Sequence, residues 1–176
     1  GIILLSIVYR LRIILNYFRR DLTMPILLEI QDISKNFGPI KALHDTTLKL
    51  VRGKITALLG PSGSGKTTLI RHLNGLLLPT VGSVKLAGVP VRHNLLRARC
   101  LVGMMFQDGA LFDSLTVGEN IAFPLQRHTR KGPEEIKEIV AARLAAVGLP
   151  GVEGMFPAEL SGGMRKRVGF ARAIVM

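Results

Sequence analysis

Cysteine, aromatics and acids are all scarce in this chain, and each shortage narrows what it can do. Cys100 is the single cysteine among 176 residues, so no internal disulfide can form; a reducing cytosolic compartment fits, and the thiol reads as a small hydrophobe. Nine aromatics, seven Phe and two Tyr, are not interleaved with basic residues, which leaves no base-stacking surface. Acids number 12 against 24 Lys and Arg, a net charge of +12. Such an excess identifies a nucleic-acid partner only when it is organised into a reading surface. Here four arginines against Asp21 give +3 over residues 1–23, and Arg165, Lys166, Arg167 and Arg172 add +4 in a stretch without acids. No nucleic acid is expected as a partner.

An uninterrupted membrane span is also missing. The apolar residues from Ile2 to Phe18 are broken by Arg10 and Arg12, and a spanning helix needs about 20 mostly apolar residues without charges at its centre. Arg19 and Arg20 follow the apolar stretch, whereas a secretory signal carries its positive charge first and ends in small residues. Met24 is the expected start, with residues 1–23 an apolar and basic extension outside the working domain; the functional alternative for them is an interfacial amphipathic helix. The remaining length suits one domain.

What the chain does contain is a glycine-rich loop, Gly60-Pro61-Ser62-Gly63-Ser64-Gly65-Lys66-Thr67. It fits the phosphate-loop pattern G-x-x-x-x-G-K-[ST], in which backbone N–H groups cradle phosphates, the lysine reaches the β/γ-phosphates and the hydroxyl ligates Mg²⁺. Lys54–Leu59 ahead of it reads as a strand buried in a parallel sheet. Thr67, Thr68 and onward to Leu77 read as a helix whose positive N-terminal end points at the anion. ATP and Mg²⁺ are the expected ligands, with Gly60 to Thr68 around the phosphates and Thr67 on the metal.

Further strands are expected at Ile26–Ile30, around Leu48 and Leu50, at Ser83–Ala87 and at Leu101–Phe106, the last delivering Gln107 at its end. After Gln107 the pattern turns helical. Thr116 and Glu119 form a capping box for a helix through Ile121 and Phe123. Pro133 opens another, with Ile136, Ile139, Val140, Leu144 and Val147 on one face and Gly148 as its stop. Gly151–Pro157 is a loop leading to Leu160-Ser161-Gly162-Gly163-Met164, where a hydroxyl and two glycines open a basic helix and form a second anion site.

Phosphate loop, Gln107 at a strand end and the Leu160–Met164 signature together resemble the ATP-binding subunits of ABC transporters, from about Ile26 onward. The resemblance implies an α/β fold: a P-loop NTPase core, a strand-rich antiparallel lobe and a helical subdomain over about 108–160, within a domain of 24–176. It implies that Phe37 stacks on adenine, although a tyrosine is commoner there, and that Gln107 senses the γ-phosphate and contributes to the Mg²⁺ site. Ser161, Gly162 and Gly163 would then close on ATP held by a second subunit, in a head-to-tail homodimer at the cytoplasmic face of the plasma membrane.

A narrower similarity, in Phe106 to Val117 and in Met164 where the family usually has glutamine, is to the ATPases of MCE-type lipid carriers such as the Mla phospholipid system. It implies an integral membrane permease, an MCE lipid-carrier protein and a lipid substrate. The alternatives are an ABC ATPase for another transported substrate, or a soluble one acting on ribosomes or DNA, for which no coiled-coil insertion lies between Gln107 and Ser161. The family's Asp-Glu strand and switch histidine follow the signature helix, whereas this chain stops at Met176; none of His44, His72, His93 and His128 can substitute, since all precede the signature. The expectation is an incomplete cassette, lacking its general base and unable by itself to turn over ATP.

Overall fold

The computed structural model describes residues 3–5, 26–107 and 109–176. It divides into two compact units, residues 1–102 and 103–176.

The first unit is built on a long hairpin. Strands β2 (Ile26–Phe37) and β3 (Ile40–Val51) pair antiparallel through a turn at Gly38, and β5 (Val81–Leu86) and β6 (Val89–Pro90) extend the sheet in the order β3-β2-β5-β6. The inward faces supply Leu28, Ile30, Ile33, Leu43, Leu50, Val84 and Leu86, and these pack with Leu69 and Leu73 of helix α1 (Lys66–Leu73). The spacing Leu28, Ile30, Ile33 breaks a strict alternation of faces. A bulge explains it: the register shifts between Ile30 and Ile33, and Asp32 adopts φ 47°. Asp32 N–H donates to Thr47 Oγ1 at 3.0 Å, while the Thr47 hydroxyl donates to Asp32 Oδ1 at 2.7 Å. An extra residue in one strand re-aims the side chains that follow it, which returns Ile33 to the core. Gly82 faces this bulge from β5, where a Cβ would lie 2.4 Å from Asp32 O.

Strand β4 (Thr56–Leu58) corrects one expectation. It pairs antiparallel with β1 (Ile3–Leu5), not within a parallel sheet, and the flanking Ile55 and Leu59 are 75% and 67% exposed. An apolar run reads as a parallel strand only when both of its faces are covered, and no second strand pairs with β4 among the described residues. The other residues of the 1–23 extension, with the interfacial helix considered for them, lie outside the described residues. So does Met24.

Helix α2 (Leu95–Leu101), capped by Asn94, brings a second correction. Leu101 ends this helix, and residues 102–107 join no ladder. The expected strand over Leu101–Phe106 does not form among the described residues. A short apolar run becomes a strand only where neighbours take up its N–H and C=O groups; Met105 and Phe106 are each 39% exposed.

The second unit is three helices around one core. Helix α3 (Val117–His128) begins with the expected capping box: Glu119 N–H donates to Thr116 Oγ1 at 3.2 Å, and Thr116 N–H to Glu119 Oε2 at 2.7 Å. Helix α4 (Pro133–Ala146) buries Ile136, Val140 and Leu144. It ends as its sequence says, in a Schellman motif: Gly148 takes φ 69°, its N–H bonds Ala145 O, and Leu149 N–H bonds Leu144 O. Helix α5 (Gly162–Ala173) adds Val168 and Ala171 to a core shared with Val117, Ile121, Leu125 and Leu160. Among the described residues, no helix is long and apolar enough to cross a membrane.

Candidate nucleotide site

In the first unit the residues of the glycine-rich loop converge on the start of α1. Gly63 and Gly65 have φ of 82° and 84°, and a Cβ on Gly65 would sit 2.9 Å from Ala42 O, so both the turn and the close approach need glycine. Gly65 is the N-cap and provides no side-chain acceptor, and the first turn of α1 has no acid. The leading N–H groups of the helix are thus left to an anion, with the positive end of the dipole behind them.

Lys66 sits at the centre of this loop. Its ammonium donates to Gly60 O at 2.8 Å, Pro61 O at 2.5 Å and Ser64 Oγ at 3.3 Å. Three neutral acceptors on one cation are acceptors a phosphate oxygen can replace, since a charged acceptor makes the stronger bond. Ser62 and Thr67 are exposed, and Thr68 is half-buried. These features fit a phosphate chain.

The second turn of α1 is anchored by His72, which is 1% exposed. Its Nδ1 lies 2.6 Å from Thr68 O; a carbonyl only accepts, so Nδ1 carries the proton, and Nε2 is buried with no hydrogen-bond partner. Burial pushes the His72 pKa below its ordinary value; the Thr68 backbone opposes this, the positive charge of Lys35 reinforces it, and the Leu78 backbone opposes it more weakly. His44, His93 and His128 are exposed. Phe37 closes β2 beside the hairpin turn, 47% exposed, with Lys35 Nζ 5.4 Å from its ring centroid.

The second unit carries the other candidates. Ser161 is the N-cap of α5, its Oγ accepting from Met164 N–H at 3.3 Å, and Gly162 and Gly163 form the exposed first turn with no acid in it. Nothing within 4 Å would meet a Cβ on Gly163. Arg165 secures the turn by donating to Leu160 O at 2.6 Å. Gln107 is exposed at the end of the irregular segment 102–107, and Asp108 lies outside the described residues. No group of His, Cys, Asp and Glu among the described residues could hold a metal. In the first unit the exposed Thr67 hydroxyl, in the first turn of α1, is open to a metal held by a phosphate chain.

Two residues of this unit were missed in the sequence. Asn120 is fully buried: its Oδ1 accepts from Phe112 N–H at 2.8 Å, and its Nδ2 donates to Phe112 O, Leu115 O and Thr116 O. Arg172 donates to Gly109 O at 2.7 Å. The signal for both was a polar residue inside an apolar stripe, Asn120 between Val117 and Ile121 and Arg172 between Val168 and Val175.

A strand, a glycine-rich anion loop and a helix leading from it define the fold class of P-loop nucleotide-binding proteins. The family model "ABC transporter" matches residues 43–176, and the chain belongs to that family. It is 45% identical over 157 residues to the probable ribonucleotide transport ATP-binding protein mkl of Mycobacterium tuberculosis, covering 87% of this chain and 44% of that protein. It is 40% identical to the intermembrane phospholipid transport system ATP-binding protein MlaF of Escherichia coli, over 85% of this chain and 57% of the relative. Among solved structures it resembles a dimeric post-hydrolysis state of the ATP-binding cassette MJ0796 bound to ADP and Pi, with TM-score 0.76, 28% identity, and 85% of this chain and 69% of that one covered. The chain spans about half the length of the curated relatives it matches.

Proposed function

We propose that the full-length protein is the ATP-hydrolysing subunit of a membrane transporter that moves phospholipid or another lipophile. The observation that carries this reading is the loop closed on Lys66 at an uncapped helix start, together with a second uncluttered helix start at Ser161. ATP and Mg²⁺ bind at Gly60 to Thr68, with Phe37 against the base, Thr67 on the metal and Gln107 reporting on the γ-phosphate. Bound Mg²⁺ neutralises charge developing on the transferred phosphoryl group. Lys66 turns from Gly60 and Pro61 to the phosphates, and α1 presents its N–H groups to them.

One anion site per unit is explained by two copies in head-to-tail arrangement, Ser161, Gly162 and Gly163 of one closing on the nucleotide of the other. ATP then supplies contacts present only in the closed pair, and hydrolysis removes them. A permease at the cytoplasmic face of the membrane receives the motion, and an MCE-type carrier handles the lipid. The lipid assignment is supported by the similarity to MlaF, which is named for phospholipid transport. The ribonucleotide of the mkl name, and the sulfate or thiosulfate of the import protein CysA of Gloeobacter violaceus at 46% identity, define the competing reading.

Affinity purification of the full-length protein from its native membrane tests the substrate. Recovery of a small permease with a lipid-binding component supports the lipid reading. Recovery of a permease for a small polar solute, with unchanged envelope lipid distribution in a deletion strain, rejects it and leaves the ATPase reading standing.

A further inference from the structure

The second unit presents two nucleotide-facing elements, the segment that follows Gln107 and the start of α5, and they are fastened to each other. Gly109 and Ala110 take φ of 81° and 46°. Positive φ at a non-glycine residue is strained and persists only where the surroundings over-determine it. Helix α5 supplies those surroundings. Arg172 donates to Gly109 O at 2.7 Å, and its guanidinium lies 5.8 Å from the centroid of the Phe112 ring. Gly169, one turn earlier on α5, lies so close that a Cβ there would stand 2.7 Å from Gly109 Cα. Arg172 also reaches toward Asn120 Oδ1 at 3.5 Å, and Asn120 holds Phe112 through both backbone groups. Burial lowers the pKa of Arg172, yet a guanidinium stays charged in a protein. Among the described residues Gly109 O is the one acceptor within 3 Å of this half-buried cation, and breaking that bond leaves the charge desolvated and more weakly held.

We infer that Arg172 is a positioning residue, which with Gly169 clasps the Gly109–Phe112 turn onto α5 so that Gln107 and the Ser161–Gly163 helix start respond to nucleotide as one body. The inference rests on the proposed nucleotide roles of those two elements. Its consequence is that a change at Gln107, in one ATP site, is transmitted to the surface offered to the other. Breaking the clasp leaves each nucleotide contact intact and separates the responses.

Three quantities measured on the full-length protein decide the matter: ATP affinity by calorimetry, the ATP concentration for half-maximal dimerisation by light scattering, and kcat with KM for hydrolysis. Arg172→Met and Gly169→Ala attack the clasp from different helix positions, and Arg172→Lys restores charge without the planar fork. Expected for both Arg172→Met and Gly169→Ala are ATP affinity of the isolated subunit within about twofold, a dimerisation midpoint raised at least about tenfold, equivalent to about 1.4 kcal/mol, and a KM for hydrolysis raised with it while kcat at saturating ATP changes little. Arg172→Lys should reverse part of both shifts. Parallel loss of affinity, melting temperature and kcat, with no recovery by lysine, would show a residue that merely holds the fold and overturns the inference; so would a dimerisation midpoint unchanged in both variants. Lys66→Ala, run alongside, separates the readings: if it keeps normal ATP affinity the nucleotide site itself is wrong, whereas loss there with an unmoved Arg172→Met midpoint removes the clasp alone.

Discussion

Lys66, Ser161 and His72 show how much single residues decide. Lys66 and Ser161 were legible because a phosphate loop and a helix cap demand particular residue types at fixed spacing. His72 was not, since a histidine in an apolar helix carries no mark of where its two nitrogens go. Its burial, with the proton on Nδ1, predicts a pH effect with a definite sign. The folded-state pKa lies below the unfolded value, so below about pH 6.5 the unfolded chain binds the extra proton first. Stability is full above that pH and falls as acid is added, down to the folded pKa. Urea unfolding of the full-length protein at neutral and mildly acidic pH should show this loss, and His72→Gln should flatten it; an unchanged slope in the variant would assign the effect elsewhere. At Ser161 the prediction concerns partners rather than stability. Ser161→Arg should leave ATP binding by the isolated subunit intact and abolish ATP-dependent dimers in light scattering, and a normal dimer in that variant would contradict the role of the α5 start in a second site.

Among the elements, those with local signals were legible and those defined by distant neighbours were not. The capping box of α3 and the Gly148 stop of α4 are written within a few residues of where they act. Thr116→Ala should cost about 1 kcal/mol, the usual worth of such a cap. Gly148→Ala should cost at least as much, on the order of 1 kcal/mol, because an alanine is strained at positive φ; chemical denaturation measures both, and a neutral Gly148→Ala would mean the Schellman turn is not maintained in solution. By contrast, Lys54–Leu59 and Leu101–Phe106 are apolar runs whose strand character depends on neighbours taking up their backbone groups. The first keeps three residues of strand and the second none among the described residues. The bulge at Asp32 was equally hidden, since its cause lies in Thr47, 15 residues away, and in Gly82 on the facing strand.

For the whole molecule, the α/β class and the family were readable from three short motifs, because each fixes a backbone geometry that few other sequences share. The substrate is less directly written: it depends on a contact surface, and relatives of similar identity carry names for phospholipid, ribonucleotide and sulfate. One prediction applies to the polypeptide of residues 1–176 itself. It contains no acid after Glu159, and positioning by a phosphate loop does not orient the attacking water. Its phosphate release should not exceed that of the same polypeptide with Lys66→Ala, and steady turnover above that control would contradict the expectation. Calorimetric titration of the full-length protein with ATP and Mg²⁺, beside its Lys66→Ala variant, decides whether the glycine-rich loop holds the nucleotide. Saturable binding is expected of the first protein and an affinity lower by about tenfold or more of the second, as follows when a charge-assisted contact is removed. Equal affinities in the two proteins would mean that the loop does not hold the phosphates.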